Sequence, residues 1–176
     1  RAKKSYTNFV GNVQGEEIAD YQLNYKGAAG LETVTTSTVF FYTDAHLRAE
    51  DEAVQDTDAL RATNTYRGDK NASVYSDKAD IKSRTHFIGP KGEEVADFSQ
   101  TFTSLGAVKE TTLNTYAGEA LDFTSTYLGG IEDSKDVTGR AKKSYTNFVG
   151  NVQGEEIADF QLNYKGAAGL ETVTTS

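Results

Sequence analysis

Three kinds of residue in this chain could do chemistry: paired carboxylates, a dense acidic run and two histidines. The pairs are Glu16–Glu17, Glu93–Glu94 and Glu155–Glu156. General acid–base work needs two carboxylates that converge on one substrate. Neighbours on a strand point to opposite faces, so each pair reads as the flank of a turn. The acidic run is Glu50, Asp51, Glu52, Asp56 and Asp58. Calcium takes roughly six to eight oxygens from a shaped loop. These five are weak calcium candidates, because the D-x-D-x-D-G frame is absent. A solvated acidic face is the alternative. His46 and His86 are the two histidines, and neither has a partner constellation in the sequence. Both read as structural or surface residues.

No G-x-S-x-G, phosphate loop or dinucleotide fingerprint is present. "GAAG" at Gly27–Gly30 lacks the strand-to-helix setting that phosphate binding requires. No catalytic residue and no cofactor site are expected beyond the calcium alternative, and the chain reads as a non-enzyme.

The elements around these residues are written in the composition. The 176 residues carry a net charge of −8 and include 22 Thr, 10 Tyr and 9 Phe. Such side chains suit a pleated, half-solvated surface, so β structure is expected. The acidic surface repels phosphate backbones, which excludes nucleic acid as a partner class. No apolar run approaches about 18 residues, so no membrane span is expected in this window. No signal peptide is visible after Arg1, and any targeting segment is expected outside the window. Cys, Met and Trp are absent. Disulfide and thiolate chemistry are thereby excluded, and the lack of easily oxidised side chains suits an extracellular, cell-surface location.

Residues 1–37 and 140–176 match at 36 of 37 positions, Tyr21 and Phe160 being the difference. Surface positions match as well as apolar ones, so the identity reflects duplication and not shared packing. Residues 1–139 read as one full tandem period and residues 140–176 as the start of the next. "KSRTHFIGPKGEEVADF" (Lys82–Phe98) is a weaker copy of "KSYTNFVGNVQGEEIADY" (Lys4–Tyr21). Shorter echoes and the glycines suggest about five units per period, with one reversal hidden near Phe41–Asp44. Gly11, Gly15, Gly89, Gly92, Gly118, Gly150 and Gly154 are the expected turn glycines.

"ADYQLNYKG" alternates by two, which places Tyr21 and Tyr25 on an inner face. Phe98, Phe102, Phe123 and Phe160 take the matching inner positions. Asp44–Ala62 reads as either a helix or a polar strand-loop-strand. The fold class expected is all-β: a β-solenoid or β-helix-like stack of short strands with Gly turns. Tandem β-sandwiches are the alternative. Only Pro90 lies between the two copies, with no linker-like run, which favours continuous stacking.

The Gly-turn and "GEE-x-AD" pattern resembles the right-handed β-helix of the iron–sulfur assembly scaffold proteins (the SufB/SufD group). The resemblance implies a fold only, since no Cys is present to hold a cluster. The tandem, acidic, Thr-rich, Cys-free pattern resembles repetitive bacterial extracellular fibres and adhesins. The expected function is a structural tandem-repeat protein that builds a fibre, sheath or stalk by repeat stacking. Its partner would be itself, as neighbouring repeats or subunits in a filament, joined covalently or by donated strands. An adhesin module that binds glycans or other cells is the second reading, and a β-helix polysaccharide-active enzyme the third.

Overall fold

A computed structural model describes residues 1–11 and 13–174. Twelve strands and no helix occur among them. The strands are β1 (Ser5–Val10), β2 (Ile18–Lys26), β3 (Thr33–Tyr42), β4 (Leu47–Arg48), β5 (Leu60–Arg67) and β6 (Ile81–Ile88). They continue as β7 (Val95–Phe102), β8 (Val108–Ala117), β9 (Ala120–Leu128), β10 (Lys142–Val149), β11 (Ile157–Lys165) and β12 (Thr172–Thr174). The chain divides into two compact units: Arg1–Val95 with Ser104–Gly106, and Ala96–Thr103 with Ala107–Ser176.

In the first unit the strand order is β1-β2-β3-β5-β6, with the short β4 also paired to β3. All of its pairs are antiparallel. Val39, Phe41, Ala62, Tyr66 and Ile81 alternate onto one face and are buried there. The polar residues Ser37, Asn64 and Arg84 share that face and are buried. Arg84 is 1% exposed and donates through Nε to Asn64 Oδ1 (2.7 Å) and through Nη2 to Tyr75 O (2.6 Å). Tyr66 donates from its hydroxyl to Val74 O (3.3 Å). The polar core therefore fastens the loop of residues 68–80 over the sheet, since a buried donor must find an acceptor.

In the second unit the order is β7-β8-β9-β10-β11-β12, again antiparallel throughout. Phe98 and Phe102 of β7 are buried, and Gln100 between them on the same strand is fully so. The Gln100 amide donates to Ile131 O (2.8 Å), and its Oε1 accepts the Asp133 N–H (3.0 Å). One side chain thus fixes the loop after β9. A Cβ on Gly130 would sit 2.2 Å from Thr111 Oγ1, so only glycine fits there.

The all-β expectation holds. The stacking differs in kind from a β-helix, whose coils pair in parallel. Here the described strand pairs are antiparallel, including β5–β6 and β9–β10, whose connections are long. At Gly118–Glu119 the turn is two residues, too short for the crossover of about a dozen residues that parallel pairing needs.

The weaker copy also acquires a meaning. β6 and β7 carry the sequence that matches β1 and β2, and the strands that follow make the same bonds. Tyr42 at the end of β3 donates to Ala19 O (2.7 Å), and Tyr116 at the end of β8 donates to Ala96 O (2.7 Å). Ser37 Oγ donates to Gly68 O (3.0 Å), and Thr111 Oγ1 donates to Gly129 O (2.9 Å). Residues 1–139 therefore hold two related stretches, β1-β2-β3-β5 and β6-β7-β8-β9, where five shorter units were expected. They differ where β4 and its turns lie between β3 and β5, while Gly118–Glu119 joins β8 to β9.

Asp44–Ala62 takes the strand-loop-strand form. β4 and the start of β5 are separated by turns closed by Asp51 N–H to Arg48 O (3.0 Å) and Asp58 N–H to Gln55 O (3.0 Å). The reversal expected near Phe41–Asp44 is the β3–β4 turn, where Thr43 and His46 adopt positive φ (59° and 55°).

Candidate functional site

The carboxylates are the place to begin, because their geometry recurs. Glu156 Oε2 accepts the N–H of Gly154 (2.8 Å), which closes its own turn. Its Oε1 accepts the N–H of Leu121 (2.8 Å), at the start of β9. Glu94 does the same with Gly92 (2.8 Å) and with Leu60, the first residue of β5 (3.1 Å). Glu32 bridges Gly30 (2.8 Å) and the N–H of Lys3 (2.8 Å). Glu171 accepts the N–H of Lys142 (2.9 Å), at the start of β10. One carboxylate thus ties a turn to a distant strand, and a charged acceptor makes each bond stronger than a neutral one.

The electrostatics agree. The Leu121 N–H holds the Glu156 carboxyl below its ordinary range, and the Lys142 and Lys3 N–H groups do so for Glu171 and Glu32. Burial pushes Glu94 up, but the N–H groups of Glu94 itself, Leu60 and Gly92 outweigh it and leave the pKa lowered. These are carboxylates kept ionised as acceptors. A general acid needs the reverse shift.

In the pairs Glu93–Glu94 and Glu155–Glu156 the second Glu is therefore a latch, whereas Glu17 closes its turn through the Gly15 N–H (2.7 Å). The underlying signal is G-[EL]-E, at Gly15–Glu17, Gly30–Glu32, Gly92–Glu94, Gly154–Glu156 and Gly169–Glu171. Reading "GAAG" as a failed phosphate loop missed the Glu two residues after its last glycine.

These latches frame β10, whose sequence repeats that of β1 and which lies between β9 and β11. On the β9 side Lys142 opposes Tyr127, Ser144 opposes Thr126, Tyr145 opposes Ser125 and Asn147 opposes Phe123. Phe123 packs on Tyr145 with ring centroids 5.3 Å apart, and Tyr145 on Phe160 at 6.0 Å. Lys142 Nζ sits over the rings of Tyr127 (5.5 Å), Tyr145 (5.8 Å) and Tyr164 (5.8 Å). Such a cation is drawn to the negative faces of the rings. Lys143 Nζ adds an ion pair with Glu110 Oε1 at 2.7 Å. β9 and β10 form an ordinary strand pair with its own side-chain register.

No protein family, curated protein or solved structure matches the chain. The arrangement has to be read from its own geometry.

Asp51 Oδ1 accepts the Ala53 N–H (3.0 Å) and Asp58 Oδ2 accepts the Gln55 N–H (2.8 Å), so both close turns. Glu50 pairs with Arg48 at 3.5 Å, and Glu52 and Asp56 are exposed. Among the described residues no three His, Cys, Asp or Glu side chains are grouped to hold a metal. His46 stacks on Tyr75 with centroids 4.0 Å apart and planes 12° apart, and His86 stands edge-on at 6.0 Å. Beside them His46, Arg48, Asp51 and Tyr75 help line an open pocket of about 660 Å³.

The turn glycines Gly11, Gly15, Gly89, Gly92, Gly118, Gly150 and Gly154 all have positive φ. At Gly89 a Cβ would lie 2.6 Å from Glu93 O. Of the inner-face aromatics, Phe98 and Phe102 are buried, Tyr21, Tyr25 and Phe123 are half-buried, and Phe160 is 46% exposed.

Sequence reasoning also missed a buried ion pair. Asp20 is 1% exposed and receives Arg48 through Nε (3.0 Å) and through Nη2. Its copy Asp159 is exposed. The partner of the first copy, Arg48, comes from β4, and no arginine is paired with Asp159 among the described residues.

Proposed function

We propose that the chain is a structural tandem-repeat protein that builds an extracellular fibre, sheath or stalk by the stacking of its repeats. The observation that carries this reading is the β9–β10 pair, in which the last strand of one period and the first of the next share a ladder. A repeat joined in this way presents the same edge again after every period, so extension has no built-in stop. In this reading the solenoid takes the form of a hairpin-linked antiparallel stack. The two near-identical stretches are successive registers of one array.

The chemistry on the page suits that role. The charge of −8 limits side-by-side bundling of filaments. The absence of Cys and Met suits an oxidising exterior. The turn carboxylates act as structural acceptors, which accounts for the Glu-Glu pairs with no substrate.

Electron microscopy of the native protein is the test. Elongated filaments are expected, and isolated globular particles alone would remove the proposal.

A further inference from the structure

We propose that the outer edge of β1, together with Glu17, is the docking site for a β9-type strand from a preceding copy of the repeat. The inference rests on the fibre reading and names the contact by which the fibre would extend.

Ser5–Val10 and Ser144–Val149 are the same six residues. The second set, in β10, pairs with β9 on one side and β11 on the other. Among the described residues the first set, β1, pairs with β2 alone. The consequence is visible in burial. Tyr6 is 41% and Phe9 59% exposed, whereas their copies Tyr145 and Phe148 are half-buried. An open edge is a row of unpaired N–H and C=O groups ready to take a strand.

Two side chains say which strand. Glu17 Oε2 accepts the Gly15 N–H at 2.7 Å, as Glu156 does from Gly154. Glu156 then takes the N–H of Leu121, 35 residues earlier. Among the described residues Glu17 has no matching bond to a strand N–H, and 35 residues earlier lies ahead of Arg1. Lys3 tells the same story. Its Nζ lies over Tyr6 (4.6 Å) and Tyr25 (4.5 Å), while Lys142 lies over those two copies and over Tyr127 of β9. The occupant that completes both sites carries the β9 sequence: a backbone N–H for Glu17, and an aromatic face for Lys3. Continuity with the β9–β10 pair fixes its register.

The test extends the 176-residue chain at its N-terminus with a second copy of residues 118–139 and follows amide hydrogen exchange residue by residue. The outward-facing amides of Ser5–Val10 are expected to exchange at least about tenfold more slowly than in the unextended chain. Glu17→Gln in the extended chain is expected to return about threefold of that slowing, with exchange in β7–β9 unchanged. A control extension carrying Thr124→Pro in the copied segment is expected to leave β1 as in the unextended chain, because proline removes a ladder donor. Unslowed β1 exchange, or equal slowing with the proline control, overturns the proposal even if native filaments exist. No effect of Glu17→Gln overturns the role of Glu17. Slowed β1 exchange in a protein that forms no filaments upholds the docking site and removes the fibre reading.

Discussion

Glu156 ties its own turn to the start of β9: Oε2 accepts the Gly154 N–H and Oε1 the Leu121 N–H, both at 2.8 Å. The two ends of this bridge are 35 residues apart in sequence. Glu94 makes the equivalent bridge to Leu60. Each bridge locks a hairpin turn to a strand that is not its sequence neighbour, and so holds the order of strands as well as the turn.

Removing a latch is expected to be felt at the strand it holds. Glu94→Ala takes the acceptor from both Gly92 and Leu60, at a site that is only partly buried. A loss of about 1 kcal/mol is expected after allowing for solvent at the site. Glu93→Ala, its neighbour on the turn flank, is expected to stay within about 0.5 kcal/mol. Chemical denaturation of both variants checks the difference.

The latches also set the response to acid. The folded pKa values of Glu32, Glu94, Glu156 and Glu171 lie below the ordinary value of 4.5. A depressed carboxylate contributes stability that is present above its unfolded pKa and lost as pH falls through its folded pKa. Stability is therefore expected to be level above about pH 5 and to fall progressively below 4.5. The triple variant Glu32→Gln, Glu156→Gln, Glu171→Gln is expected to show a shallower fall. Thermal melts across pH 3 to 7 read this directly.

The two copies offer an internal control for the buried ion pair. Asp20 is closed against Arg48, and removing it leaves a nearly buried guanidinium without that carboxylate. Asp20→Ala is expected to cost about 3–5 kcal/mol. Asp159→Ala removes the same residue from the same local sequence, but at an exposed position. It is expected to change stability by less than about 0.5 kcal/mol. Equal effects at the two positions would contradict the difference in environment.

Gln100 is a buried tie on the loop after β9, beside the Thr111 hydroxyl on Gly129 O and the Lys135–Asp97 ion pair. Gln100→Ala strips the acceptor from the Asp133 N–H and the donor from Ile131 O, and it opens a buried space. A cost of about 2–3 kcal/mol is expected, together with increased proteolysis within residues 129–141. Limited digestion with mass mapping tests the second half of that statement.

Much of the fold was legible because strands announce themselves locally. The alternation Ala19, Tyr21, Leu23, Tyr25 is a two-residue period, and glycines with positive φ stand where the chain reverses. The direction of pairing was less legible, since alternation is the same in parallel and antiparallel ladders; the short turn at Gly118–Glu119 decides it. Asp20 was hidden for a different reason. It sits on the polar side of that alternation, and only β4, a two-residue strand with no pattern of its own, brings Arg48 to it. Glu156 and Asp159 show the limit most sharply. Their local sequence is that of Glu17 and Asp20, yet their surroundings differ, because partners 28 to 35 residues away supply the environment.

The most direct test of the central claim, that these repeats are successive members of one array, is the denatured mass of the protein taken from its native source. The account expects a polypeptide many times heavier than 19.1 kDa, with fragments from partial cleavage spaced by one 139-residue period. A single species near 19.1 kDa that holds no further copy of the period would contradict it.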